Sequence, residues 1–197
     1  RQGPVWLDIA LEVQWANIKK NRRTNKRKYL KKKIKHLKFN KALNLIRKSD
    51  RPLFVIGYGV RSSGYNLKKL KNFFKINNLP FVLTWNSADI ASSKNKNNLG
   101  IIGMSGQRGA NKAIFNSDLL ICLGTHLAIP HTTTLYDTYA KQAKKIIVNI
   151  DNNQMKNLNI NFDLKINADV IHFIDFLIKQ KNLKKKKKLH IYKQLNW

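Results

Sequence analysis

Glycines, small hydroxyl side chains and a few histidines are the residues of this chain whose types and spacing could do chemistry. The stretch Arg51 to Gly64, RPLFVIGYGVRSSG, carries an apolar run that stops at Gly57-Tyr58-Gly59. A second cluster, Gly103-Met104-Ser105-Gly106-Gln107-Arg108-Gly109, follows Leu99 to Ile102. A third turn, Gly124-Thr125-His126, follows Leu119 to Leu123. Glycines at the carboxyl end of a buried strand let the chain turn sharply and let a ligand approach the backbone. Any one of these turns, taken alone, reads just as well as a tight turn. Arg108 opens a helical stretch, where it could contact a phosphate or face solvent. His126 and His131 flank Pro130, with no cysteine or carboxylate near enough in sequence to complete a metal site. They read as loop histidines near a phosphate or a domain interface. Cys122 lies inside an apolar run with no base beside it and reads as a buried, inert thiol. A single cysteine forms no internal disulfide, which fits a reducing, cytoplasmic setting.

These residues need elements to position them. The periodicity predicts a helix from Phe39, with Ala42, Leu45 and Ile46 on one face, ended by Ser49-Asp50-Arg51-Pro52. A strand over residues 53–57 follows, then a helix with Leu67, Leu70, Phe73 and Phe74 inward. Further strands are expected at Phe81 to Thr84, Leu119 to Leu123, Ile146 to Ile150 and, more weakly, Phe162 to Ile166. Helices are expected at Ala110 to Asn116 and Thr134 to Ala143, and a closing one along Val170, Ile174 and Leu177. Alternation of this kind implies an α/β fold: a Rossmann-like parallel sheet with helices on both faces, three layers in all. Thr84-Trp85, the glycine turns and Asp151 then all fall at carboxyl ends of strands, where such sheets bind ligands. Upstream, Val5 to Ile9 reads as a short buried strand, and Gln14 to Leu37 as a basic linker.

The chain has 197 residues, 43% of them hydrophobic, and a formal charge of +29. That permits a real core, and no apolar run reaches the ~18 residues a membrane helix requires. Strong basicity suggests a polyanionic partner. The runs Lys19 to Lys41 and Lys184 to Lys188 lack interleaved aromatics, and Lys68, Lys69 and Lys71 fit a solvated helix face. Drift of surface residues therefore outweighs nucleic-acid binding as the reading of the charge.

In sequence, GPVWLDIALEVQ, RPLFVIGYGV, LGIIGMSGQRGANKAIFNSDLLICLGTH, IIVNID and INADV together resemble the acetolactate-synthase branch of thiamine-diphosphate-dependent enzymes. The most specific part, GMSG…AN…A…SDLLICLGT, is similar to the family pattern GMHG…AN…A…ADLLI..G. The resemblance implies that residues 1–13 end a pyrimidine-binding domain, 14–38 link, 39–180 form the central domain, and 181–197 lead toward a further domain. It implies a parent enzyme that decarboxylates and ligates 2-oxo acids with thiamine diphosphate and Mg2+, working as a homodimer or homotetramer away from membranes. The family's GDG…N motif is not in this sequence, and Glu12 does not match the catalytic glutamate, so the chain alone should be inactive.

The family's central domain also carries FAD. The resemblance carries that role over to Gly57, Gly59, Thr84, Trp85, Ile102, Gly103, Met104, Gly106, Gly124, Thr125, His126, Asn149 and Asp169. Four departures stand against it. Ser105 replaces a histidine and His126 an arginine. Ala128-Ile129-Pro130 stands where an acidic pair belongs, and Asn149 replaces a carboxylate. Two expectations follow, an FAD site or a central domain that keeps the fold without flavin. Three function classes remain: a piece of a thiamine-diphosphate enzyme, a non-catalytic flavin or nucleotide module, and, least favoured, a basic nucleic-acid-associated protein.

Overall fold

Two five-residue apolar runs, Pro52–Ile56 (β1) and Leu119–Leu123 (β4), are buried throughout and pair in parallel at the centre of a sheet. Continuous burial marks strands covered on both faces, and it places helices above and below them. The structure, a computed structural model, describes residues 4–17, 36–132, 134, 136–180, 183 and 192. The chain divides into two units, residues 1–34 and 35–197.

In the first unit the described residues form one short helix, α1 (Leu11–Gln14). Val5 to Ile9 forms no strand. A strand exists only by pairing, and no described residue pairs with this segment. Its side chains remain exposed, Trp6 at 91%.

The second unit opens with α2 (His36–Lys48) and β1, followed by α3 (Tyr58–Ser62) and α4 (Leu67–Asn77). Next come β2 (Phe81–Leu83), a 3-10 turn at Trp85–Ile90, β3 (Asn98–Ile101), α5 (Arg108–Asn116) and β4. The unit continues with α6 (Ile129–Thr132), β5 (Lys144–Asn149), α7 (Asn152–Lys156), β6 (Leu164–Asn167) and α8 (Val170–Ile178). All strands run parallel in the order β3-β2-β1-β4-β5-β6. This is the doubly wound arrangement, with its order reversing beside β1.

One layer packs Leu53, Val55, Leu120, Cys122 and Ile147 of the sheet against Ala110, Ala113 and Ile114 of α5 and Met155 of α7. On the opposite layer Phe54 meets Phe74 edge-on at 5.2 Å, and Phe39 meets Phe173 at the same distance. Such aromatic pairs add about 1 kcal/mol each beyond their burial. Leu183 and Tyr192, within the stretch expected to lead onward, are both buried. The expected helix Thr134 to Ala143 is reduced to a 3-10 turn at Tyr136–Thr138. Its apolar residues serve other contacts: Tyr139, Ala140 and Ala143 insert into the core cluster from irregular chain.

Among the described residues exposed cations are more numerous on the α2–α4 layer, at Lys38, Lys41, Arg47, Lys48, Lys68, Lys69 and Lys75, than on the α5–α7 layer, at Arg108, Lys112 and Lys156. The run Lys184 to Lys188 and most of Lys19 to Lys41 lie outside the described residues.

Candidate functional site

The glycine turns do reach the carboxyl ends of the strands, where the sheet order reverses, but they close on each other. The Gly57 N–H donates to the Leu123 carbonyl at 2.9 Å, Gly59 N–H to the Gly124 carbonyl at 2.8 Å, and Gly124 N–H to the Val148 carbonyl at 3.0 Å. A Cβ on Gly57 would stand 2.5 Å from Gly124 O and Thr125 Cα, and one on Gly59 2.7 Å from Gly124 O. Gly124 itself has φ +56, the left-handed region where a side chain is strained. These glycines are required by backbone meeting backbone, β1 exit against β4 exit.

The second turn is built the same way. Asn111 brackets Gly103: its Oδ1 accepts the Gly103 N–H at 2.9 Å, and its Nδ2 donates to the Gly103 carbonyl at 2.8 Å. Gly103 has φ +117, and a Cβ there would lie 2.3 Å from Pro130 O. Met104 N–H donates to that Pro130 carbonyl at 2.8 Å, and Gly106 N–H to the Gly103 carbonyl at 2.9 Å. Ile102 points into the core, fully buried. Asn111 is a residue to which the sequence reading gave no role. Its signal was the fixed Ala-Asn in the resembled pattern, eight positions after Gly103.

Thr84 is buried, its Oγ1 3.1 Å from Ser87 Oγ, which in turn lies 2.7 Å from the Ile56 carbonyl. Thr125 is likewise buried, and its Oγ1 accepts the Leu127 N–H at 3.2 Å. Asn149 Nδ2 reaches the Thr125 carbonyl at 3.3 Å and Gln154 Oε1 at 3.1 Å, while its Oδ1 accepts the Asp151 N–H at 3.0 Å. Asp151 and Asp169 are the N-caps of α7 and α8, accepting backbone N–H groups at 3.0 Å. Short polar side chains before a helix do this routinely, and each cap contributes about 1 kcal/mol.

Trp85 and Met104 are left facing outward, with His131 set edge-on to Trp85 at 5.8 Å between centroids. His131 Nδ1 is buried without a hydrogen-bond partner. Burial, aided by the nearby His126, holds this imidazole below its ordinary value and therefore neutral. His126 is exposed and lines a hollow of about 320 Å³ with Leu127, Ile129, Tyr136 and Leu158. Among the described residues no group of three or more histidines, cysteines or carboxylates could hold a metal. Burial pushes the Cys122 thiol up, away from the reactive thiolate.

The sites expected from sequence are thus brought to one end of the sheet, Gly57, Gly59, Gly124, Thr125, His126 and Asn149 around β1, β4 and β5, and Trp85, Gly103, Met104 and Gly106 around β2 and β3. FAD at such an end would call on free backbone donors for its diphosphate and on a carboxylate for its ribose. Here the glycine N–H groups and the Asn149 amide already serve the protein, so these particular donors do not fit that group.

A family model described as "Thiamine pyrophosphate enzyme, central domain" matches residues 39–177. The chain is similar to a probable acetolactate synthase large subunit of Methanococcus aeolicus, 30% identical over 91% of this chain and 31% of that protein. It is 26% identical to the acetolactate synthase isozyme 2 large subunit of Escherichia coli, over 80% of this chain and 28% of that protein. A third relative is a 3D-(3,5/4)-trihydroxycyclohexane-1,2-dione hydrolase of Halalkalibacterium halodurans, 34% identical over 60% of this chain. The chain thus spans about a third or less of the curated relatives it matches.

Proposed function

Because the chain belongs to the thiamine pyrophosphate enzymes, whose central domain it contains, we propose that it is the scaffolding part of an acetolactate-synthase-like enzyme acting on 2-oxo acids. In this reading residues 1–13 end a preceding domain, 14–38 link, 39–180 are the scaffold, and 181–197 lead to a third domain. Thiamine diphosphate, with Mg2+, would decarboxylate a donor such as pyruvate and pass the carbon unit to an acceptor, held by domains outside residues 39–180. The parent enzyme would work in the cytoplasm as a homo-oligomer. What this chain supplies is a rigid sheet with its helices, and a carboxyl end whose turns are fixed by their own backbone.

The observation that carries the reading is the central-domain match over residues 39–177. The 2-oxo acid class is supported by the large-subunit relatives, and the hydrolase relative keeps the individual substrate open. No helix among the described residues is long and apolar enough to cross a membrane, in keeping with this reading.

The test is turnover by the complete polypeptide supplied with pyruvate, thiamine diphosphate and Mg2+. Release of carbon dioxide with formation of a ligated product is expected, dependent on the cofactor. Cofactor-independent release, or none with any 2-oxo acid, would overturn it. A nucleic-acid role would instead show as a salt-sensitive gel shift that survives physiological ionic strength.

A further inference from the structure

Past residue 180 two residues are described, Leu183 and Tyr192, and they are 1% and 0% exposed. Tyr192 is the largest fully buried side chain among the described residues. A segment that only leads from one domain to the next makes few contacts and keeps its side chains in water. The contrast is with Val5, Trp6 and Leu7 in the first unit, 80, 91 and 78% exposed.

Tyr192 also lies on a different layer from the helix that precedes it. α8 sets Phe173 edge-on to Phe39 of α2, on one side of the sheet. Tyr192 belongs to the core cluster of the other side, with Leu53, Leu120, Ala113 and Ile114. Its hydroxyl donates to the Arg51 carbonyl at 2.7 Å. Arg51 directly precedes β1, so this contact lies at the amino end of the sheet. The same carbonyl accepts the Asp118 N–H at 3.2 Å, and the Arg51 Nε donates to the Asn116 carbonyl at 2.7 Å. The turn before β1, the turn before β4 and Tyr192 therefore meet at one residue. Tyr139 shows what plain space-filling looks like: it is buried in the same cluster, yet its hydroxyl has no hydrogen-bond partner. A buried tyrosine whose hydroxyl is bonded is held in one orientation as well as packed.

We propose that the chain after α8 is a strap of the central unit: Leu183 and Tyr192 lock it to the body, Tyr192 at the amino end of the sheet, and the unit ends no earlier than Tyr192. The division of the chain agrees, since one compact unit runs over residues 35–197. The family match stops at residue 177, short of both anchors. The strap moves the end of the scaffold past residue 180, and it does not depend on the reaction proposed above. Without it the core would lose an aromatic ring and gain a cavity of that size.

Nitration of the intact 197-residue chain by tetranitromethane tests the docking with no substitution. Tyr58, 53% exposed, is the reference. Peptide mass spectrometry should find Tyr192 nitrated at least about tenfold more slowly than Tyr58, because a buried ring reacts only when the structure opens around it. Equal rates would overturn the proposal. A second reading comes from Cys122, the one cysteine of the chain and a member of the same cluster. Labelling of that thiol should run more than about tenfold faster in Tyr192→Ser than in the wild type, with Tyr192→Phe, which keeps the ring, in between. Equal labelling of the wild type and Tyr192→Ser would overturn the proposal. The turnover assay is separate, so an active enzyme whose Tyr192 reacts like Tyr58 would sink the strap while leaving the proposed function standing.

Discussion

The two ends of the sheet are closed by opposite means. At the amino end Asp118, just before β4, accepts hydrogen bonds from Ser49 Oγ, from the Asp50 N–H at 2.8 Å and from the Arg51 N–H at 3.0 Å. Tyr192, fully buried, adds a bond from its hydroxyl to the Arg51 carbonyl at 2.7 Å. That end is a polar latch, complete within this chain. At the carboxyl end the backbone closes on itself through glycines, and apolar side chains are left outside. One end has polar partners within the chain; the other is closed by backbone and leaves Tyr58, Met104 and Ile150 exposed. Glycines at a carboxyl end are therefore no proof of a nucleotide, because close approach by another turn needs them just as much.

The comparison breaks most readily at Gly124. Gly124→Ala places a Cβ 2.9 Å from the Gly59 Cα in a left-handed conformation. The expected loss is about 3 kcal/mol, from strain and overpacking together, read as a lowered urea midpoint. A neutral substitution would show that the turns do not depend on this contact. Asp118→Ala should cost about 2 kcal/mol in the same measurement, because several donors lose one acceptor.

A smaller, pH-dependent effect is expected at His131. Its folded value is depressed by burial and by His126, relative to the ordinary 6.5. The unfolded chain therefore binds this proton first, so the contribution is full above pH 6.5 and is lost as pH falls to the depressed folded value. Urea midpoints between pH 8 and pH 5 should fall more steeply for the wild type than for His131→Gln; parallel slopes would contradict the burial. The smallest effect is expected at Ile150, which directly follows β5. Ile150→Gln should change the stability of this chain by less than about 0.5 kcal/mol, since the side chain is 66% exposed. A larger loss would mean that Ile150 is already covered within the chain.

Much of the fold was legible because buried parallel strands announce themselves. Leu53 to Ile56, Leu119 to Leu123 and Ile146 to Asn149 are uninterrupted apolar runs or nearly so, and α2, α4 and α8 keep a clear helical period. Helices of four or five residues, such as α3, α6 and α7, are too short to show a period. Asp151 and Asp169 stand before helices as caps, which their position before α7 and α8 would have suggested, yet Asp169 reads as a nucleotide ligand and Asp151 as part of the ligand edge once a site is in view. Val5 to Ile9 has the composition of a strand without a described partner, and composition cannot supply one. The hydrogen-bond state of the glycine N–H groups was never legible, because it depends on which turn lies opposite. That is also why Asn111, eight residues from the peptide it holds, went without a role.

The direct test of the closed carboxyl end is a titration of the protein with FAD, followed by quenching of flavin fluorescence. With the N–H groups of Gly57, Gly59, Gly103, Gly106 and Gly124 already donating within the chain, no saturable uptake is expected. One FAD bound per chain with a Kd below about 1 μM, some −8 kcal/mol of binding free energy, would contradict the account.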